Sequence, residues 1–371
     1  MGLLRIILAL SVVAGHSQST ILGFNGLGAT YAVSVFFVVS GFYMALILNE
    51  KYSTLPTKYF YLSRALRIYP IYIIGLAFSL IVSFTDIRGV FESLTIISKT
   101  YMLISNSFIF GRDIVNQFCW NNLQGVCTNP LSMSINPPGW SLAPELIFYL
   151  AAPFIVKSKK NVILVWLIGC VYFWVISQLK YPINRMGMHT SREVTFNYTF
   201  YPASIIYFMT GVLGYHFIYL RDRISYPLCL MMLLALSFTI TPLASWVILL
   251  LGLGIPVIFT LTKDIKIDRF MGELSYPVYI LHFPVFLYVK KNGFVLPSFT
   301  LGTTVSLITL LISIIIHFII DKKIAEFRHS NTFTNHTHKI KSQSKHLPTL
   351  VMILYGLAPV AWVGYLSLVA N

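Results

Sequence analysis

Apolar runs of membrane length recur from end to end of this chain and restrict it to one kind of fold. At about 17–22 residues per crossing, they fall at 3–22, 30–49, 68–84, 140–156, 161–179, 201–219, 226–242, 244–262, 274–290, 299–320 and 348–369. The period-two alternation of a barrel is absent. Each run is therefore expected to be a helix, which satisfies its own backbone in lipid. The expected fold class is all-α: a polytopic integral membrane protein of about eleven transmembrane helices, ten in a core over 1–320 and one C-terminal span in 348–371. The composition fits, with 56% hydrophobic and 11% charged residues. Between these parts, 321–347 reads as a polar, basic cytoplasmic linker.

A net charge of +15 would suit nucleic acid, but the basic residues lie in short clusters between apolar runs. That is the positive-inside pattern, and nucleic-acid binding is not expected. The stretch 94–110 is apolar but carries Ser98, Lys99, Ser105, Asn106 and Ser107. With 94–110 interfacial or re-entrant and the N-terminus cytoplasmic, 19 of the 27 Lys and Arg residues face inward and 8 outward. If 94–110 spans, the later loops invert and the bias reverses. The expected location is thus the cytoplasmic membrane, with loop 85–139 outside. Cys119 and Cys127, eight apart in that loop, are then candidates for a disulfide, with two free thiols the alternative. Cys170 and Cys229 lie in apolar runs and read as packing residues. No metal spacing stands out; His336-x-His338 reads as part of a solvated tail. Arg5, the run Ile6–Ala14 and Val12-x-Ala14 look like a signal peptide, yet the spans that follow favour a retained first helix.

Four groups of polar residues interrupt the apolar pattern. Arg5 and His16 are eleven apart, close to three helical turns, so they share one face of the first span. At 1.5 Å per residue, His16 lies roughly 16 Å beyond Arg5. A snorkelling Arg and a packing His would give the same pattern. Arg64-x-x-Arg67 stands at the inner mouth of the third span, where two guanidinium groups on one face suit phosphate, or merely flank the membrane. Ser141, Glu145 and Tyr149 recur at i, i+4, i+8 after Trp140 and make a polar stripe on the fourth span. Glu145 is suited either to orient a catalytic His or take a hydroxyl proton, or to bond helices together. Ser275, Tyr279 and His282 share a face of the run 274–290, with His282 near its middle. Ionisable groups at that depth are costly and usually functional.

In order along the chain, LRIILALSVVAGHS, YAVSVFFVVSGFYM, YLSRALRIYP, PPGWSLAPELIFYL and LSYPVYILHFP resemble the membrane acyltransferase family three, integral-membrane O-acyltransferases that modify bacterial surface glycans. The likeness runs to about residue 320. The family's Arg-x10-His pattern falls on Arg5 and His16, its Arg-x-x-Arg on Arg64 and Arg67, and its Trp-Ser-Leu-x-x-Glu on Trp140, Ser141, Leu142 and Glu145. Two positions depart from it: Ala32-Val33-Ser34 replaces a Gly-Val-acid step, and Pro144 precedes the motif's Glu. Some relatives carry an esterase-like domain after the last span; none is expected within these 371 residues, and the eleventh span resembles those relatives' linker helix.

The resemblance implies transfer of an acyl group, expected to be acetyl, from cytoplasmic acyl-CoA to a hydroxyl of an exported or lipid-linked glycan such as O-antigen. Acetyl-CoA is the implied donor substrate, with no metal. His16, Glu145 and His282 are the expected catalytic residues. Arg5, Arg64 and Arg67 are expected to hold the donor. Trp140, Ser141, Tyr149, Ser275 and Tyr279 are expected to hold the acceptor. His16 would serve as general base or carry the acyl group itself. A lipid-linked sugar flippase, and a scaffold without chemistry, are the alternative readings.

Overall fold

The computed structural model describes residues 1–118, 120–178, 198–219, 252 and 254–329. The expected spans 226–242 and 348–369, together with Cys119, Cys229, His336 and His338, lie outside the described residues. Eleven α-helices are labelled in chain order: α1 (Gly2–Ser17), α2 (Ala29–Asn49), α3 (Thr57–Val82), α4 (Phe84–Ser93), α5 (Ile96–Phe108), α6 (Leu142–Ile155), α7 (Lys159–Gln178), α8 (Tyr201–Gly214), α9 (Lys266–Lys291), α10 (Leu301–Ile316) and α11 (Lys322–His329). Extended structure among the described residues is limited to isolated bridges. Among the described residues, three helices are long and apolar enough to cross a membrane, Ala29–Asn49, Thr57–Val82 and Leu301–Arg328, and α1 and α8 are shorter apolar helices. The all-helical membrane class is what the chain adopts, while eleven crossings exceeds what these helices establish.

Helix α2 is apolar on every side, and accordingly it sits at the centre, buried along most of its length. It packs along α8, α1 packs along α9, and α10 covers α9. In lipid, association cannot rely on apolar burial alone, so small residues set how closely backbones approach. Gly41 faces the Phe208 carbonyl and Gly211 faces the Val38 carbonyl; a Cβ at either would lie 1.9 Å from that oxygen. Overpacking typically costs about 1–3 kcal/mol, more when backbone must move. Gly211→Leu is therefore expected to abolish monodisperse, folded protein in detergent. Gly89→Ala, where nothing lies within 4 Å of the new carbon, is expected to leave the melting temperature unchanged.

The outer surface carries exposed apolar stripes: Ile73 and Ile81 on α3, Leu164, Leu167 and Ile168 on α7, Leu307, Leu311 and Ile315 on α10. Such stripes are stable as lipid-facing surface. Helix α5 is inverted in the same way. Ile96, Ile97, Leu103, Ile104 and Phe108 are exposed, whereas Ser98, Ser105 and Asn106 are buried. Its 13 residues span about 20 Å, too short for a hydrocarbon core of about 30 Å. The expected interfacial or re-entrant stretch thus corresponds to a helix that turns its polar face inward. In the following loop Cys127 is disulfide-bonded, while Cys170 is a free, buried thiol.

Two boundaries differ from those read in the sequence. Helix α3 begins at Thr57, eleven residues before the apolar run, so Arg64 and Arg67, expected on one helical face at its mouth, lie inside it. Helical structure also continues past residue 320, through a π-type turn at His317–Asp321 into α11, which returns against α3. The first residues of the expected linker are thus part of the folded bundle.

Candidate active site

Helix α9 contains Pro277 and Pro284. Pro284 has no N–H, so the Ile280 carbonyl four residues earlier loses its helical partner. The buried side chain of Asn136 supplies one, its amide donating to Ile280 O at 3.2 Å. Asn136 opens the short helix Pro137–Ser141, which leads directly into α6. A proline in one helix is thereby matched to an amide in the segment carrying Trp140, Ser141 and Glu145. The same junction is braced by Arg112, whose guanidinium donates to Asn136 O at 2.7 Å and to Tyr72 Oη at 2.8 Å, and also bonds Ser134. Neither Asn136 nor Arg112 stands out in the sequence, because each acts on a carbonyl or hydroxyl distant along the chain.

His16, at the end of α1, meets His282, in the middle of α9. His16 Nδ1 lies 2.8 Å from His282 Nε2, and His282 Nδ1 lies 2.7 Å from the Tyr279 carbonyl. His282 is fully buried, and His16 is partly exposed. A carbonyl oxygen only accepts, so His282 Nδ1 carries a proton. In the neutral imidazole its Nε2 then holds a lone pair, and His16 Nδ1 must be the donor. For a neutral pair this leaves the lone pair of His16 on Nε2, the nitrogen that makes no hydrogen bond among the described residues. His16 bonds His282, whereas Glu145, one expected orienting group, bonds Ser40 and Tyr149.

Glu145 accepts from Ser40 Oγ at 2.9 Å and from Tyr149 Oη at 2.5 Å, both at Oε1. The expected stripe on α6 is split. Tyr149 turns to Glu145, whereas Ser141 bonds Tyr279 Oη at 2.8 Å and donates to Pro138 O at 3.1 Å. Ser275 is fully buried and donates back to Gly272 O at 2.7 Å. Trp140 packs its ring against Phe37 and Tyr198.

A cavity of about 560 Å³ joins most of these residues, a size typical of small-molecule sites. Its walls include Arg5, Arg64, Arg67, Ser141, Glu145, Tyr149, Ser275 and Tyr279, so residues from all four sequence groups converge. His16, His282 and Trp140 are not on its walls. Tyr279, which is, lies with its ring 6.0 Å from the ring of His282. Along α2 the cavity extends from Val33 to Ile47, roughly 20 Å of helix. Its other end is formed where α1, α3 and α9 begin and α2 ends, at Gly2, Lys51, Ser63 and Asp268. There Asp268 accepts from the backbone N–H groups of Gly2 at 2.7 Å and Leu3 at 2.8 Å, capping α1 from another helix.

The lining is strongly cationic: seven Lys and Arg side chains against three carboxylates. One pair is satisfied, Arg67 with Asp321 at 3.4 Å, and Asp321 is also 3.5 Å from His317, which in turn lies 3.5 Å from Glu273. Arg64 makes no ion pair among the described residues. Its guanidinium sits 5.9 Å from the rings of Phe60 and Tyr149, and its buried Nε has no hydrogen-bond partner. A partly buried guanidinium with its Nε left in this state suits an anionic guest. Such a lining would accept a phosphorylated molecule at one end, with a basic imidazole nitrogen beyond the other.

The sequence family described as "Acyltransferase domain" matches residues 1–318. A protein of Aquifex aeolicus (strain VF5), described as uncharacterized, is 24% identical over 216 residues, covering 53% of this chain and 90% of its own. No solved structure matches the chain.

Proposed function

This chain belongs to the membrane acyltransferase family three, so it is an acyl-transferring membrane enzyme, and we propose that it moves an acetyl group from acetyl-CoA to a hydroxyl of an exported or lipid-linked glycan. The observation that carries this reading is the elongated cavity, cationic at the end where α1, α3 and α9 begin and lined further in by Tyr279, whose ring neighbours His282. Its proportions suit a donor with a phosphorylated end and a narrow thioester arm. By the positive-inside count the cationic end faces the cytoplasm of the inner membrane.

In this mechanism the phosphates rest on Arg5, Arg64 and Arg67, which lie on the cavity wall, and the arm runs along α2. To reach His16 the thioester passes Tyr279, whose hydroxyl is bonded to Ser141. His16 Nε2 takes the proton of the attacking sugar hydroxyl, or attacks the thioester carbonyl and passes the acyl group on. In the first route the oxygen–carbonyl bond forms as the carbon–sulfur bond breaks, and CoA leaves as the thiol. Glu145 sits inside the cavity with Tyr149 and Ser40, which suits it to holding Tyr149 and the Arg64 beneath it in place. Trp140, outside the cavity wall, is assigned to the acceptor side.

Mass analysis and NMR of surface glycan from cells carrying the wild-type or the His16→Ala chain test the reading. An acetyl signal lost with the substitution supports it. A flippase would instead lose the whole glycan. Arg64→Ala is expected to raise the donor KM about tenfold or more, as for a lost charge-assisted contact, with the acceptor KM unchanged. An unaltered donor KM would remove Arg64 from the donor site.

A further inference from the structure

The family match ends at residue 318, but the cavity does not. Arg328, on α11, lines it. Helix α11 packs against α3, and Arg328 donates to the Ser63 carbonyl at 3.5 Å, next to Arg64. Its Nε is buried without a hydrogen-bond partner, as is that of Arg64, and neither makes an ion pair among the described residues. Arg328 interacts electrostatically with Arg64 and Arg67, and Lys51 with Arg328 and Arg64. The nearby carboxylate, Asp321, attracts Arg328 as well but is shared with Arg67 and His317. Like charges brought together, with the Nε of both Arg64 and Arg328 buried and unbonded, repel unless an anion joins them. Arg328 and Lys51 also stand at the mouth: Lys51 follows the end of α2, and Ser63 lies near the start of α3.

We propose that Arg328, together with Lys51, is a specificity-determining residue that grips the ribose 3′-phosphate of the acyl-CoA donor. This rests on the acyl-CoA reading above. If the thioester runs inward toward Tyr279, the part of the donor farthest from it is left at the mouth. That part is the adenosine end with its phosphate monoester, a dianion whose three terminal oxygens match a guanidinium and an ammonium. Arg64 and Arg67, deeper along α3, are left for the diphosphate. A segment beyond the family-matched region thereby discriminates the full coenzyme from shorter phosphopantetheine carriers.

The test is direct binding of CoA and of 3′-dephospho-CoA to the full chain in lipid nanodiscs, for wild type, Arg328→Gln and Arg328→Lys. Wild type is expected to prefer CoA by about tenfold or more. Arg328→Gln is expected to lose that preference while binding 3′-dephospho-CoA as wild type does, which also shows that the variant is folded. Arg328→Lys is expected to retain part of the preference. Equal binding of the two ligands by wild type, an undiminished preference in Arg328→Gln, or a parallel loss of both ligands in that variant would each overturn the assignment. Binding of neither ligand by wild type would instead overturn the acyl-CoA reading, and this assignment with it.

Discussion

Replacing His16 by alanine is expected to lower kcat by about 10²–10⁴-fold, the range for loss of a general base, with little change in the donor KM. The reason is geometric. His16 Nδ1 is committed to His282, so in the proposed mechanism Nε2 is the nitrogen left to take the proton or the acyl group. The cavity wall does not include His16, so its removal leaves the donor's contacts in place. Release of labelled CoA thiol in detergent or nanodiscs measures kcat and KM separately. Insertion and folding are checked by monodispersity and melting temperature. A His16→Ala protein with wild-type kcat would remove His16 from the reaction. Because alanine truncates a side chain that is already partly exposed, stability is expected to fall by no more than about 1–2 kcal/mol.

Substitution of His282 is expected to have the second largest effect, and its pattern separates positioning from bulk packing. His282 is fully buried and contributes one acceptor, Nε2, toward His16 and one donor, Nδ1, toward Tyr279 O. Leucine fills the space but offers no acceptor, so His16 is free to rotate or to adopt the other tautomer. Loss of the orienting partner is expected to lower kcat by roughly 10²-fold or more. Glutamine carries a carbonyl oxygen near the position of Nε2 and an amide that donates, so His282→Gln is expected to recover a substantial part of the rate. The pH–rate profile gives a further readout: in His282→Leu the limb assigned to His16 is expected to move, whereas packing loss alone would lower the rate at every pH equally. Equal rates for the leucine and glutamine variants would assign His282 to packing.

Much of the architecture was legible because apolar runs of fixed length are required by lipid, and because helix periodicity places residues three, four, seven or eleven apart on one face. Arg5, Arg64, Glu145 and Ser275, in separate sequence groups, do line one cavity. Hydropathy failed where a helix turns charges inward. Helix α3 starts at Thr57, eleven residues before the apolar run at 68, because Lys58, Arg64 and Arg67 lower a window average that cannot distinguish a cationic cavity wall from solvent. The same bias placed Arg328 in a polar linker, although α11 lies against α3. The contact of His16 with His282 joins residues 266 apart, which no spacing rule can pair. The amide of Asn136 on the Ile280 carbonyl is legible only once the position of Pro284 in α9 is known.

The most direct measurement uses proteoliposomes holding the chain in one orientation, with labelled acetyl-CoA on one face and a lipid-linked glycan acceptor available on the other. Label is expected on the glycan only when the donor is supplied to the face bearing the start of α3 and Arg328, and only when His16 is intact. Equal transfer with the donor confined to the opposite face would contradict the account.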